Sequence, residues 1–378
     1  MHESWHTEDF PEFRDRRPWV MQEMIEAEPG LAEPVLSDPA ASALGDMVRS
    51  AVDAGAPIAV AGCGTSEHGA LAVAEQVSDA LGGRGQAHVR QAFEAMLDPW
   101  GRGACIGISH EGGTAATVAA MESARGAGAT VGLITAVADS AGAKAADLAL
   151  VTPVRDRSWC HTVGYVSPIL GGAAIAAAVS GRSVDPSAAR RALSASEDAR
   201  DRIREVAGAL FGVSRYLPVG SGADRIAARE LALKIEEGVR VPATARDLET
   251  ILHGHWVAQD EESAVILLMT DPRQAGARAD RAVQMLRAAR AIGARTAAIL
   301  TDETAGLVSE DDVRDRIVVP SPAGLPAATG SLLASAPALQ LLTLELVHLA
   351  GVNPDLIRRE EAPYREAAAI AESSFPTA

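Results

Sequence analysis

The sequence predicts an α/β protein of two tandem lobes, each a parallel sheet flanked by helices. Three observations predict it: short apolar runs alternate with helical stretches, glycine-rich turns follow several of those runs, and the second half repeats the spacing of the first. A chain of 378 residues is long for one ordinary domain and suits two. Residues 41–190 and 200–350 are read as the lobes, 1–40 as an N-terminal extension with a short helix, and 351–378 as a tail.

Taken in order, a helix is expected at Met21–Glu28, stopped by Pro29. The first lobe opens with a strand over Pro57–Ala61, then the turn Gly62-Cys63-Gly64-Thr65-Ser66 and an Ala-rich helix. Further strands read at Cys105–Ile108, Thr130–Thr135 and Leu148–Val151, with a helix at Thr114–Gly126. In the second half, Tyr216–Val219 leads through Gly220-Ser221-Gly222 into a helix over Asp224–Glu237. Ala264–Met269 and Arg295–Leu300 are strands around a long helix at Ala275–Ala291. Gly62, Ile106 and Gly128 align with Gly220, Ile266 and Gly293 at offsets of 158, 160 and 165 residues, as duplication with small insertions would give. Strand–helix alternation implies right-handed crossovers, and ligands of such sheets bind beyond the carboxyl ends of the strands.

Composition narrows the function. Aromatics are only 3% of residues against 48% apolar, so the core must be Ala, Val, Leu and Ile, which suits close helix-on-sheet packing. A net charge of −16 argues against nucleic acid and against anionic membrane surfaces, and an anionic ligand would need local positive dipoles. Cys63, Cys105 and Cys160 form no paired or metal-like pattern, which fits a reducing compartment. The acidic N-terminus lacks a basic apolar leader, and no apolar run is read as reaching the ~18 residues of a membrane span. The expectation is a cytoplasmic protein without a membrane partner, and no motif calls for a metal or an organic cofactor.

Two loops could hold an anion. Gly62-Cys63-Gly64-Thr65-Ser66 offers free amides, hydroxyls and a helix start with its positive partial charge. A tight turn with Thr65 or Ser66 as helix cap explains the same residues without a ligand. Ser109-His110-Glu111-Gly112-Gly113-Thr114 repeats the chemistry at the next strand end, and two such loops would converge on one small anion. The second lobe has Gly220-Ser221-Gly222-Ala223-Asp224, an acid where the first lobe has hydroxyls, so the lobes have diverged in role.

The helix after Gly222 is the most informative segment. At about 100° per residue, Arg225, Arg229 and Glu236 form one polar face, and Glu230, Lys234 and Glu237 form a second stripe bordered by apolar residues. Such a stripe should face a crevice. An exposed Glu230–Lys234 ion pair worth ~0.3–0.5 kcal/mol is one account, and a carboxylate base beside an ammonium is the other. Downstream, His253 and His255 point to opposite faces if that segment is helical, which disfavours a zinc pair and leaves one of them for acid–base or structural work. His161 stands in a cleft loop, His161-Thr162-Val163-Gly164-Tyr165, and is a candidate for binding.

In this order and spacing the motifs resemble the sugar isomerase (SIS) domain family, in particular the two-domain isomerase half of glucosamine-6-phosphate synthase and its relatives. The likeness runs from Met21 to about Arg359 and rests on Cys63-Gly64-Thr65-Ser66, Ser109-x-x-Gly112-x-Thr114, Leu233-Lys234-Ile235-Glu236-Glu237 and Leu252-His253-Gly254. It implies two flavodoxin-like lobes, a homodimer, and aldose–ketose chemistry on a sugar phosphate. Cys63, Gly64, Thr65, Ser66, Ser109, His110, Glu111 and Thr114 would then line the substrate or its phosphate. Glu237 would carry a proton between C1 and C2 with Lys234 assisting at the substrate oxygens, and His253 of a partner copy would open the ring. The chain departs from the pattern in having no glutaminase domain, in Glu111 at a serine position, and in Glu360 where the synthase has its Schiff-base lysine. Isomerase, deaminase and fructosamine-type deglycase all fit, with a non-catalytic sugar-phosphate sensor as the alternative. Arg358 or Arg359 would neutralise an anion or lie solvated in the tail.

Overall fold

The computed structural model describes residues 12–372 and 375–376. Helix α1 (Val20–Ala27) and helix α2 (Ala40–Asp53) precede strand β1 (Ile58–Gly62). Helix α3 (Thr65–Leu81) follows, then β2 (Ala87–Gln91), β3 (Ala104–Ile108), helix α4 (Ala115–Gly126), β4 (Thr130–Thr135), β5 (Leu148–Val151) and helix α5 (Val163–Ser180). The second lobe has β6 (Arg215–Gly220), helix α6 (Asp224–Lys234), the two-residue β7 (Arg246–Asp247), β8 (Ser263–Met269), helix α7 (Ala275–Ala291), β9 (Arg295–Thr301), β10 (Asp315–Val319) and helix α8 (Ala327–Ala350).

Both sheets are parallel throughout, ordered β2-β1-β3-β4-β5 and β10-β9-β8-β6-β7. Read from the other edge, the second order is the first one renumbered. The aligned glycines show why the loops match as well: at Gly62 and at Gly220 a β-carbon would overlap the backbone carbonyl of the residue four further on, Ser66 and Asp224. Only glycine lets each strand turn so closely into its helix. In each sheet the chain reverses winding direction beside the first strand, between β1 and β3 and between β6 and β8, and that switch point is where such sheets leave a crevice.

The largest apolar cluster is shared by both lobes, running from Trp19 and Val20 through β1, β3 and α5 to α6, β8 and α8. α5 and α8 are buried almost all round, and small residues allow the approach: Gly69 of α3 packs on Pro168 of α5. These two helices correct the reading that no segment is long and apolar enough to cross a membrane, since both meet that test. Their apolar surface is taken up inside the protein, with 83% of each window buried.

The segments on either side of the two lobes meet at this core. Asp355 of the tail accepts hydrogen bonds from the backbone amides of Val20 (2.9 Å) and Met21 (2.8 Å), capping α1. Arg240 holds the same tail through Glu360 (2.6 Å), Glu361 (3.1 Å) and the Asn353 carbonyl (3.1 Å).

Candidate functional site

The polar stripe of α6 is buried, as the helical wheel requires. Glu230 and Lys234 have no exposed side-chain surface, whereas Glu237 keeps 21% of its side chain accessible. The Lys234 ammonium pairs with Glu237 and lies 3.6 Å from Glu230. Burial opposes its charge, but the Glu237 and Glu230 carboxylates outweigh burial and hold its pKa above the usual lysine value. Burial likewise works to raise Glu230, and Lys234 with His68 overcomes it, leaving the carboxyl below its ordinary range.

The α-helix ends at Lys234, and one π turn (Ile235–Val239) carries Glu237 before Arg240 closes it in the left-handed conformation, φ +67°. The regular helix expected to Glu237 is thus corrected. The wider turn keeps Glu237 beside Lys234 while swinging the chain toward the sheet edge.

Glu230 ties the lobes together. Its carboxylate meets the His68 Nδ1 at 2.7 Å and accepts from the Thr65 hydroxyl at 3.4 Å, both on the first turn of α3. So the loop after β1 and the Lys234–Glu237 pair share one carboxylate. Around that loop, Gly64 takes φ +58° at the start of α3, and the Ser66 hydroxyl has no protein partner among the described residues. The Cys63 thiol faces Gln91 and the apolar cluster under β1, and burial raises its pKa. What Cys63 can offer a ligand is its backbone.

At the end of β3, the buried Ser109 donates to the Thr114 hydroxyl (3.3 Å) at the start of α4. Gly112 is fixed at φ +64°, where a β-carbon would overlap Ser140. Glu111 turns aside to Arg155 (2.6 Å), which answers the problem of a carboxylate in an anion loop. His110 does not face the loop opening. Its Nε2 accepts the Asp156 amide at 2.7 Å, and burial lowers its pKa to about 4, so it is a neutral structural ring. Arg358 pairs with Glu361 and stacks on Tyr364, and Arg359 pairs with Glu372 and stacks on Trp159. Their charges are engaged within the tail.

His161 lies within electrostatic reach of Lys234 and Glu237, and its neighbour Cys160 approaches the Lys234 carbonyl, Sγ to O 4.0 Å. His253 is elsewhere: its side chain is 68% exposed and bonds Glu249 at 2.7 Å, which in turn bridges Arg281. The segment around it is not the α-helix assumed for the two-histidine argument. Short 3₁₀ turns at Thr250–Leu252 and His255–Ala258 flank Gly254 at φ +88°.

The matching crevice of the second lobe is filled by its own acids. Asp224 accepts from the Thr270 hydroxyl (2.6 Å) and from the Thr270 (2.9 Å) and Asp271 (3.0 Å) amides. Asp271 accepts the Ala223 amide (3.1 Å) and pairs with Arg273 and Arg278. A carboxylate of the chain thus sits at the strand end of the second lobe, where the first lobe has hydroxyls.

Sequence reasoning missed His68 and Asp156. His68 stands one helical turn after Thr65, a spacing that places both on one face of α3, but its partner is 162 residues away.

Comparison with known proteins agrees with this geometry. Residues 53–177 match the SIS domain model. No curated protein matches the sequence. Among solved structures, the chain resembles the C-terminal domain of glucosamine-fructose-6-phosphate aminotransferase from Francisella tularensis, at TM-score 0.76 and 16% identity over 90% of this chain and 98% of that one. It also resembles tagatose-6-phosphate ketose/aldose isomerase from Escherichia coli, at TM-score 0.73 and 20% identity over 92% and 97%. Glucosamine-6-phosphate deaminase from Thermotoga maritima follows at TM-score 0.65 and 18% identity over 89% and 97%. Residues 53–177 of the first lobe thus match a SIS domain, and the second lobe repeats the strand order of the first.

Proposed function

We propose that the protein is a sugar-phosphate isomerase, deaminase or deglycase acting on a ketose or amino-sugar 6-phosphate. The observation that carries the reading is Glu230, which joins the first turn of the β1 loop helix to the buried Lys234 and so to Glu237. The anion would lie over the starts of α3 and α4, against the Ser66, Ser109 and Thr114 hydroxyls, where helix dipoles offset the chain's negative field. Glu237, the accessible member of the stripe, would take the proton from the carbon next to the carbonyl and return it to the adjacent carbon. Lys234 is sealed from solvent, so its task is to hold the Glu237 carboxylate in place. The three reactions share this step and differ in what leaves. Ring opening needs a separate proton donor: either His253 of a second copy in a homodimer, for which its exposure is suited, or an imidazole of the same subunit.

Thermal-shift titration with fructose 6-phosphate, glucosamine 6-phosphate and fructosamine 6-phosphate tests the reading. At least one should raise the melting temperature, and Ser66→Ala with Thr114→Val should remove the shift. No shift with any phosphorylated sugar would defeat it.

A further inference from the structure

We infer that His161, held by Asp156, is the acid that opens the sugar ring, so that one subunit supplies it; the inference rests on the function proposed above. Asp156 is built as a fixed anion. It is almost fully buried and accepts the backbone amides of Ser158 (3.0 Å), Thr162 (2.7 Å) and Gly164 (3.1 Å), so its charge is directed without any mobile partner. The His161 Nδ1 lies 3.6 Å from its Oδ2, is itself enclosed, and has no hydrogen-bond partner among the described residues.

The side chain as a whole is 23% exposed while Nδ1 is buried, so the accessible part lies away from Nδ1. This is an imidazole oriented from behind by a carboxylate and open in front. The second imidazole nearby, His110, with its ring centre 5.5 Å away, is committed to the Asp156 amide and cannot compete.

The groups facing His161 are Asp156 and His110 from the first lobe and Lys234 and Glu237 from the second. Burial disfavours its protonated form, but Asp156 prevails and its pKa stands above the ordinary value. An imidazolium here gives its Nε2 proton to the ring oxygen as the bond from that oxygen to the anomeric carbon breaks. The anomeric hydroxyl releases its proton to water as the carbonyl forms, and the neutral imidazole is reprotonated from solvent. Glu237 stays free for the carbon-to-carbon transfer.

The test compares whichever of the three sugar phosphates is turned over with its 4,5-di-O-methyl ether, which cannot close a ring. His161→Gln should cut kcat on the ring-forming substrate by ~100-fold, the lower end of general-acid effects, and leave turnover of the ether within about threefold. Asp156→Asn, which lowers the imidazole pKa, should move the alkaline limb of kcat to lower pH on the ring-forming substrate alone. A structural role would produce neither pattern. Equal losses on both substrates, no loss on either, or a ring-specific loss in His253→Gln instead would overturn the assignment. Wild-type protein that turns over neither compound would overturn the proposed function, a separate result.

Discussion

Replacing Lys234 by Met separates a buried electrostatic clamp from ordinary helix packing. Met fills most of the volume of Lys, so the main loss is the charge. The variant leaves Glu230 without the ammonium at 3.6 Å and in a position with no exposed surface. Removing one partner of a buried pair typically costs about 3–5 kcal/mol, because the other charge stays desolvated. Here Glu230 keeps His68 at 2.7 Å, and Glu237 can turn to solvent, so the lower end, ~3 kcal/mol, is expected. Glu230→Gln should cost a similar amount, since Lys234 then lacks one of its two carboxylates. The double variant removes both charges and should cost no more than ~3 kcal/mol, well short of the ~6 kcal/mol of independent losses. Urea unfolding followed by tryptophan fluorescence measures all three. Additive losses, within ~0.5 kcal/mol, would refute the clamp.

Glu28 is enclosed in the shared core with neither oxygen in a well-formed hydrogen bond, and burial raises its pKa well above the ordinary value, the neighbouring Gln340 amide offsetting only part of this. A raised folded-state pKa means stability present below the unfolded value and lost as pH rises toward the folded one. Glu28→Gln should therefore gain in Tm relative to wild type between pH 5 and pH 8; a constant difference would contradict this. Gly62→Ala and Gly220→Ala should each lower Tm sharply because the new methyl meets backbone, and Gly64→Ala should lower it as well, since φ +58° with ψ −131° disfavours any side chain even in open space. Because Asp224 fills the second crevice, calorimetry should find one sugar-phosphate site per chain, and two would contradict that reading.

Much of this was legible in the sequence. A strand buried along its length reads as an apolar run, and Thr130–Thr135 is found where expected, as is Leu148–Val151, an edge strand that is nonetheless apolar throughout. The strands not foreseen are edge strands: Ala87–Gln91 carries His88 and Arg90 and is half-exposed, Asp315–Val319 starts with two charges, and Arg246–Asp247 is two residues long. The buried stripe on α6 follows from the helical period, but the π turn that carries Glu237 has no local signature. His68 and Asp156 went unnoticed because their roles come from contacts made across the fold. Glu111 looked adverse as a sequence feature, and Arg155, 44 residues on, resolves it.

Glu237 is the residue on which the account stands. In deuterated buffer, wild-type protein should place solvent deuterium on C1 or C2 of its sugar phosphate. Glu237→Gln should abolish that exchange while binding the same sugar phosphate nearly as tightly. Exchange at the wild-type rate in Glu237→Gln would contradict the account.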